Sequence, residues 1–236
     1  MLEIYKRRNG YAGRITMAQE LRKVGVYICD QTARKLMAEL GLKCRLVKTH
    51  YNSYGGENNL SPELLHRDFS AKRPGEKLVT DVTMIQCADK PLYLSAVIDL
   101  CTREVVGASL SDRPNTEFVI DSVAAALESV DPKLPCIIHS DQGVQYQSAM
   151  YRNLLATKPN VIQSMSRKGM CYDNGACESF FGILKRESGI RSSDSFLCNQ
   201  SKAASFIEYF NKFRCKPSLG GMSPTQYRMS GIWKDQ

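Results

Sequence analysis

The hydrophobic period of this chain changes near residue 75, and that change restricts its fold more than any other feature. From Leu78 to Cys87 (LVTDVTMIQC) apolar and polar side chains alternate, as along a half-buried strand. Leu92–Leu100 (LYLSAVIDL) is apolar enough for a strand buried on both faces, and Arg103–Leu110 (REVVGASL) forms a third run. The linkers ADKP and DLCTR are short enough for hairpins. The spacing then predicts a helix over Thr116–Val130 capped by Asn115, and a compact strand over Leu134–Ser140. A helix capped by Ser148 runs to about Ala156, and Val161–Ser164 is a short strand. Asp173-Asn174-Gly175 opens a helix to about Glu187, and a last helix covers Ala203–Lys212 before a basic loop.

Three hairpin strands followed by alternating helices and strands predict a mixed five-stranded sheet with helices on its faces. That is the layout of an RNase H-like α/β fold. Ahead of it lie two short helices, Thr16–Val24 and Gln31–Leu40. Thr16 with Gln19 has capping-box spacing, and Asp30 is the second cap. Ala33, Leu36, Met37 and Leu40 form an apolar stripe, with Arg34 and Lys35 off it. A helix-turn-helix-like DNA-binding unit and a plain helical hairpin both fit this pattern. Residues 50–62 have a linker composition. The chain thus divides into a basic unit at 1–58, a linker at 59–74, an RNase H-like core at 75–190, and a C-terminal helix with a basic tail at 191–236.

The charge follows the same division. Residues 1–74 carry fourteen basic and seven acidic side chains, residues 75–201 twelve and fifteen, and residues 202–236 six and two. Two basic flanks bracket an acidic middle. Such flanks serve solubility or a polyanionic partner. No apolar run approaches the roughly 18–20 residues that span a bilayer, and the N-terminus has no signal-peptide pattern. Nine cysteines, scattered and without a CxxC, read as reduced thiols in a cytoplasmic protein.

Three acids stand out in the acidic middle. Asp81 lies mid-strand in VTDVT, Asp141 just past the fourth strand in HSDQG, and Glu178 in the first turns of the helix GACESFFGILKRE. Each has an ordinary reading: a surface strand residue, a turn residue capping Gly143, and an acid at a helix N-terminus. If the first and fourth strands are neighbours, the two aspartates are adjacent. Three converging carboxylates repel one another unless a counter-charge holds them ionised. Two Mg²⁺ ions, hard cations that take oxygen ligands, would satisfy them and clamp an in-line phosphoryl displacement.

The stretches TDVT, YLSAVIDLCTREVVG, HSDQGVQY, SMSRKGMCYDNGACESFFGILKRE and YFNKF-R…SL..MSPTQY closely resemble the catalytic subunit (OrfB, integrase core) of bacterial IS-three-type insertion-sequence transposases, over about Leu60–Tyr227. The resemblance implies a retroviral-integrase-like catalytic core with a DDE triad of Asp81, Asp141 and Glu178. It implies two Mg²⁺ ions, replaceable by Mn²⁺, and strand cleavage at element ends followed by strand transfer. Its partners would be double-stranded DNA, further copies of the chain, and an upstream helix-turn-helix OrfA product, in a nucleoid-associated protein of the cytoplasm. Thirty-six residues separate Asp141 from Glu178, one more than is usual in the family. The family's Asn-x-x-Arg-x-His tail stands here as Asn211, Arg214 and Lys216.

Lys185 lies two helical turns after Glu178 and is expected on the same face, against a DNA phosphate. Arg167 and Lys168 suit a substrate-binding loop; Arg214, Lys216, Arg34 and Lys35 are the remaining candidate DNA contacts. His139 reads as a structural or orienting residue rather than a metal ligand, and Cys171 and Cys177 receive no role. Two alternatives stand beside transposition: a hydrolytic nuclease of the same fold, and a truncated, non-catalytic DNA-binding remnant.

Overall fold

A computed structural model describes residues 1–45, 60–66, 68–166 and 175–235. Five strands form one mixed sheet in the order β3-β2-β1-β4-β5: β1 Lys77–Ile85, β2 Leu92–Asp99, β3 Val105–Ser111, β4 Cys136–Ser140 and β5 Val161–Met165. The three hairpin strands pair antiparallel, and β4 and β5 add in parallel on the β1 side. All five lie where the period placed them, within two residues.

Alternation splits this sheet into two faces. Leu78, Val97 and Ile138 point to one face, covered by α4 (Thr116–Leu127) and α5 (Ala149–Ala156). Val79, Leu94, Ala96 and Ile98 point to the other, covered by α6 (Gly175–Glu187) and α7 (Phe196–Lys212). The caps hold as expected: the Asn115 and Ser148 side chains accept from the Phe118 and Tyr151 amides. Gly107 on β3 is obligatory, because a Cβ there would drive into the Ser122 carbonyl of α4.

Several expectations need correction. α7 starts at Phe196, seven residues early, with Ser195 as its cap. Its Ala203, Phe206 and Phe210 belong to the main core, so the C-terminal helix packs as part of the sheet domain. The described part of the 59–74 segment is packed rather than linking. Leu65 is buried in the same core, and the Leu64 amide donates to Ser164 Oγ. The basic tail contains a further helix, α8 (Pro224–Ser230), opened by a Ser223–Gln226 capping box.

The N-terminal helices are α1 (Leu2–Arg7), which the period did not reveal, α2 (Arg14–Lys23) and α3 (Asp30–Glu39). Gly13 and Cys29, not Thr16 and Asp30, are the N-caps; Asp30 instead pairs with Arg14 at 3.0 Å. Ile4, Met17, Leu21 and Met37 give these helices their own small core. A buried ion cluster ties them to the sheet domain. Arg8 binds Glu20 of α2 at 3.0 Å and Glu187 of α6 at 3.4 Å, and Arg214 binds Glu187 at 2.8 Å. Among the described residues no helix is long and apolar enough to cross a membrane, and the eight described cysteines are free thiols.

Candidate active site

Position along neighbouring strands brings the two aspartates together. β1 and β4 run parallel, paired as Lys77 with Ile137, Leu78 with Ile138 and Val79 with His139. Two residues after Val79 and His139 come Asp81, within β1, and Asp141, just past the end of β4. The pairing ends at Val79 and His139 and β4 itself at Ser140, and it is beyond such strand ends that ligands of open α/β sheets gather. Asp81 Oδ1 accepts from the Val82 amide, and Asp141 Oδ1 from the Gly143 amide. Asp141 is therefore both the turn residue and the site residue; the two readings do not compete.

Glu178 reaches the same place from the opposite layer. Cys177, Phe181 and Leu184 bury one face of α6 against the sheet. The Cys177 thiol donates to the Val79 carbonyl at 3.6 Å, fixing the start of α6 to β1 two residues before Asp81. Glu178, the next residue, is half-buried beside the aspartates.

The electrostatics report the convergence. The Asp81 carboxyl is pushed up to about 7, first by burial, then by the negative charges of Asp141 and Glu178; the Val82 amide and Lys185 oppose the rise. Burial also raises Asp141, against the pull of the Gly143 amide. Tyr146, fully buried with its hydroxyl 3.3 Å from Thr80 Oγ1, is pushed up by burial and by both aspartates. Lys185 faces this cluster but gives its ammonium to Thr83 Oγ1 at 2.7 Å. Burial lowers its proton affinity, and Asp81 raises it.

Among the described residues no group of three His, Cys, Asp or Glu side chains is drawn together tightly enough to hold a metal ion as it stands. The donor set nevertheless fits hard divalent cations. It is all carboxylate oxygen, and the charges of Asp141 and Glu178 both bear on Asp81. His139 is buried, with Nδ1 2.9 Å from Ser164 Oγ.

The candidate DNA contacts separate. Arg34 and Lys35 stand exposed on α3. Arg167 and Lys168 lie outside the described residues. Lys216 is half-buried, with Nζ 4.7 Å from the centroid of the Phe210 ring. Arg214 is a correction: it is 9% exposed, with Nε and Nη2 both spent on Glu187, so its charge is neutralised inside the fold. Sequence reasoning also passed over Cys177. Its place on the buried stripe of α6, next to Glu178, was the available signal.

Comparison with known proteins agrees with this fold. An integrase core domain family matches residues 71–171, and a second integrase core domain family matches residues 160–224. The chain is 40% identical to the putative transposase InsK of insertion element IS150 from Escherichia coli, over 96% of this chain and 80% of that one. It is 38% identical to an uncharacterised transposase-like protein of Haemophilus influenzae, over 92% of this chain and all of that one. It is 32% identical to the E. coli IS3 transposase InsF, over 98% and 82%. Among solved structures, the magnesium-bound HTLV-2 integrase catalytic core superposes with a TM-score of 0.52 at 16% identity, covering 66% of this chain and 97% of that one. A chain of the simian T-cell lymphotropic virus intasome superposes with a TM-score of 0.56 at 14% identity, covering 96% and 73%.

Proposed function

This chain belongs to the insertion-sequence transposases of the IS3 type, enzymes built on an integrase core domain, and from that membership we propose that Asp81, Asp141 and Glu178 are its DDE triad. The observation that carries the proposal is the parallel β1–β4 register that sets Asp81 and Asp141 abreast. The three carboxylates would hold two divalent cations, Mg²⁺ or in its place Mn²⁺. Such ions supply the positive charge that a phosphoryl transition state requires.

The reaction is cleavage at the element ends and joining to a second duplex. Water attacks a phosphodiester, leaving a free 3′-hydroxyl and a 5′-phosphate. That 3′-oxygen then attacks a second phosphodiester and displaces its 3′-oxygen; one P–O bond forms as one breaks, so no external energy source is needed. Asp81, Asp141 and Glu178 would hold the cations whose charge binds the scissile phosphate. Lys185, on the flank of α6 that faces Asp81, holds a neighbouring phosphate. Arg34 and Lys35 of α3, with Arg167 and Lys168, hold the duplex. Two element ends call for at least two copies of the chain, working on chromosomal DNA with an OrfA-type helix-turn-helix product.

The test is strand transfer from a labelled element-end duplex into a plasmid with Mg²⁺ or Mn²⁺. Joined product is expected from the unaltered chain and none from Asp141→Asn. Full activity of Asp141→Asn would refute the assigned triad. Nicked but never joined product would favour the hydrolytic nuclease, and binding without chemistry the remnant.

A further inference from the structure

On the flank of α6 away from the carboxylates, the structure holds a cavity of about 400 Å³ whose only described partners in charge are two cations. Ile98 and Phe210 line its apolar part; Arg103, Lys216, Ser179 and Ser218 line its polar part. Arg103 comes from the turn between β2 and β3, Lys216 and Ser218 from the loop after α7, and Ser179 from α6 itself. Three separate stretches of chain therefore line one space with donors, and none of them brings a carboxylate.

Both cations are without a hydrogen-bonded or ion-paired partner among the described residues. Lys216 Nζ rests only on the Phe210 ring. The two acids in electrostatic reach are already occupied. Asp99 accepts from the amides of Gly75, Cys101 and Thr102, and Glu187 is held by Arg214 and Arg8. Burial and the repulsion of Arg214 and Arg103 push Lys216 down to about 7, with Glu187 opposing. An anion in the cavity would relieve both cations at once.

Arg103 also occupies a backbone position that argues for its side chain. Its φ is +60°, the left-handed region that favours glycine, and its amide closes the turn onto the Asp99 carbonyl at 2.8 Å. A non-glycine residue held there costs on the order of 1 kcal/mol. The turn keeps an arginine where glycine would be easier.

We propose that this cavity binds a phosphate of the DNA backbone, with Arg103 and Lys216 as its paired cations and Ser179 and Ser218 as hydroxyl donors. Ser179 follows Glu178, about 100° further round the α6 axis. A strand crossing the start of α6 would then leave one phosphate in this cavity and present another to the carboxylates. The site lies apart from the triad, and it replaces Arg214 with Arg103 as the partner of Lys216. It rests on the reading of the chain as a DNA-binding transposase.

The experiment measures affinity of the full chain for a random-sequence duplex across a salt series, in the unaltered chain, Arg103→Gly, Lys216→Gln and the double variant. Thermal midpoints of each are recorded with and without inorganic phosphate. Arg103→Gly removes the strained backbone, so it is expected to melt no lower than the unaltered chain while binding DNA more weakly. Each single variant should lose about threefold to tenfold in affinity, and the double variant should flatten the salt slope by about two counterions. Lys90→Gln, on the far side of β2 and paired with Asp112, is the control expected to leave both quantities unchanged. A double variant that binds DNA with the original affinity and slope overturns the proposal. So does a midpoint raised by inorganic phosphate through Arg103 and Lys216 while DNA binding ignores them, which would make the cavity a small-anion site. If the unaltered chain binds no duplex at all, it is the transposase reading that fails.

Discussion

Asp81 and Asp141 stand the same two residues beyond Val79 and His139, the last paired positions of parallel neighbours β1 and β4. The register of the sheet thus brings the start of the Asp141 turn beside Asp81. Loops tolerate a one-residue change in length. A parallel strand pair does not, because a one-residue slip would send Asp81 to the opposite face.

This crowding has a stability cost that a neutral isostere removes. Asp81→Asn deletes one of three repelling charges and keeps the side chain's shape. At pH 8 without divalent ions it should raise the thermal midpoint, by about 2–4 °C for each kcal/mol of repulsion relieved. Adding Mg²⁺ should raise the midpoint of the unaltered chain and leave the variant almost unmoved. Strand transfer by the variant should fall below detection. A variant that melts lower than the unaltered chain in metal-free buffer would show that Asp81 is held by attraction rather than repulsion.

Cys177 sets where Glu178 stands without touching the reacting atoms. It is fully buried, and its thiol donates to the Val79 carbonyl. Cys177→Leu inserts volume between α6 and β1, at a cost of about 1–3 kcal/mol. Strand transfer should drop with kcat, while DNA affinity stays near that of the unaltered chain. Cys177→Ala keeps α6 in place and should retain most activity. Equal activity of the Leu and Ala variants would mean that α6 is placed by its other contacts.

Much of the catalytic unit was legible because its strands are buried on two faces and write that burial into the sequence. Leu78 and Val79, or Val97 and Ile98, serve opposite cores in turn. Asp81 was legible as an interruption of that pattern. α1 was not, since six residues are too few to show a period. α8 is nearly as short, yet its Ser223-Pro224-x-Gln226 start carried a readable capping box. The role of Arg214 could not be read locally. Its burial depends on Glu187, 27 residues away, and on Arg8, more than two hundred away. Charge alone marks such a residue as a candidate for DNA, and only tertiary packing shows that a carboxylate already holds it.

The cluster of Arg8, Glu20, Glu187 and Arg214 joins the N-terminal helices to the end of the helix that carries Glu178. All four residues are at most 9% exposed. Removing one charge strands the others: Glu187→Gln leaves Arg8 and Arg214 short of a partner and should cost about 3–5 kcal/mol. Glu187→Met together with Arg214→Met removes an ion pair and leaves an apolar surface, and should cost much less than the single change. Chemical denaturation of both variants checks this. A double variant as unstable as Glu187→Gln would mean that packing, not charge balance, sets the cost.

Lys216 supplies a pH dependence of definite sign. Its ordinary value is 10.5, and burial with the repulsion of Arg214 and Arg103 lowers it to about 7, against the attraction of Glu187. Below pH 7 the folded and unfolded chains both carry the proton, and the folded chain bears the whole cost of a buried, repelled ammonium. Between about 7 and 10.5 the unfolded chain still binds the proton that the folded chain has released, so stability rises with pH across that window. Comparison with Lys216→Met isolates this effect from every other titration. The midpoint of the unaltered chain, taken relative to the variant, should climb from pH 7 to pH 10 and be flat from pH 5 to pH 6.5. A difference that stays constant throughout, or falls as pH rises, would place the ammonium in a solvated position and remove the electrostatic support for an anion at the Arg103–Lys216 cavity.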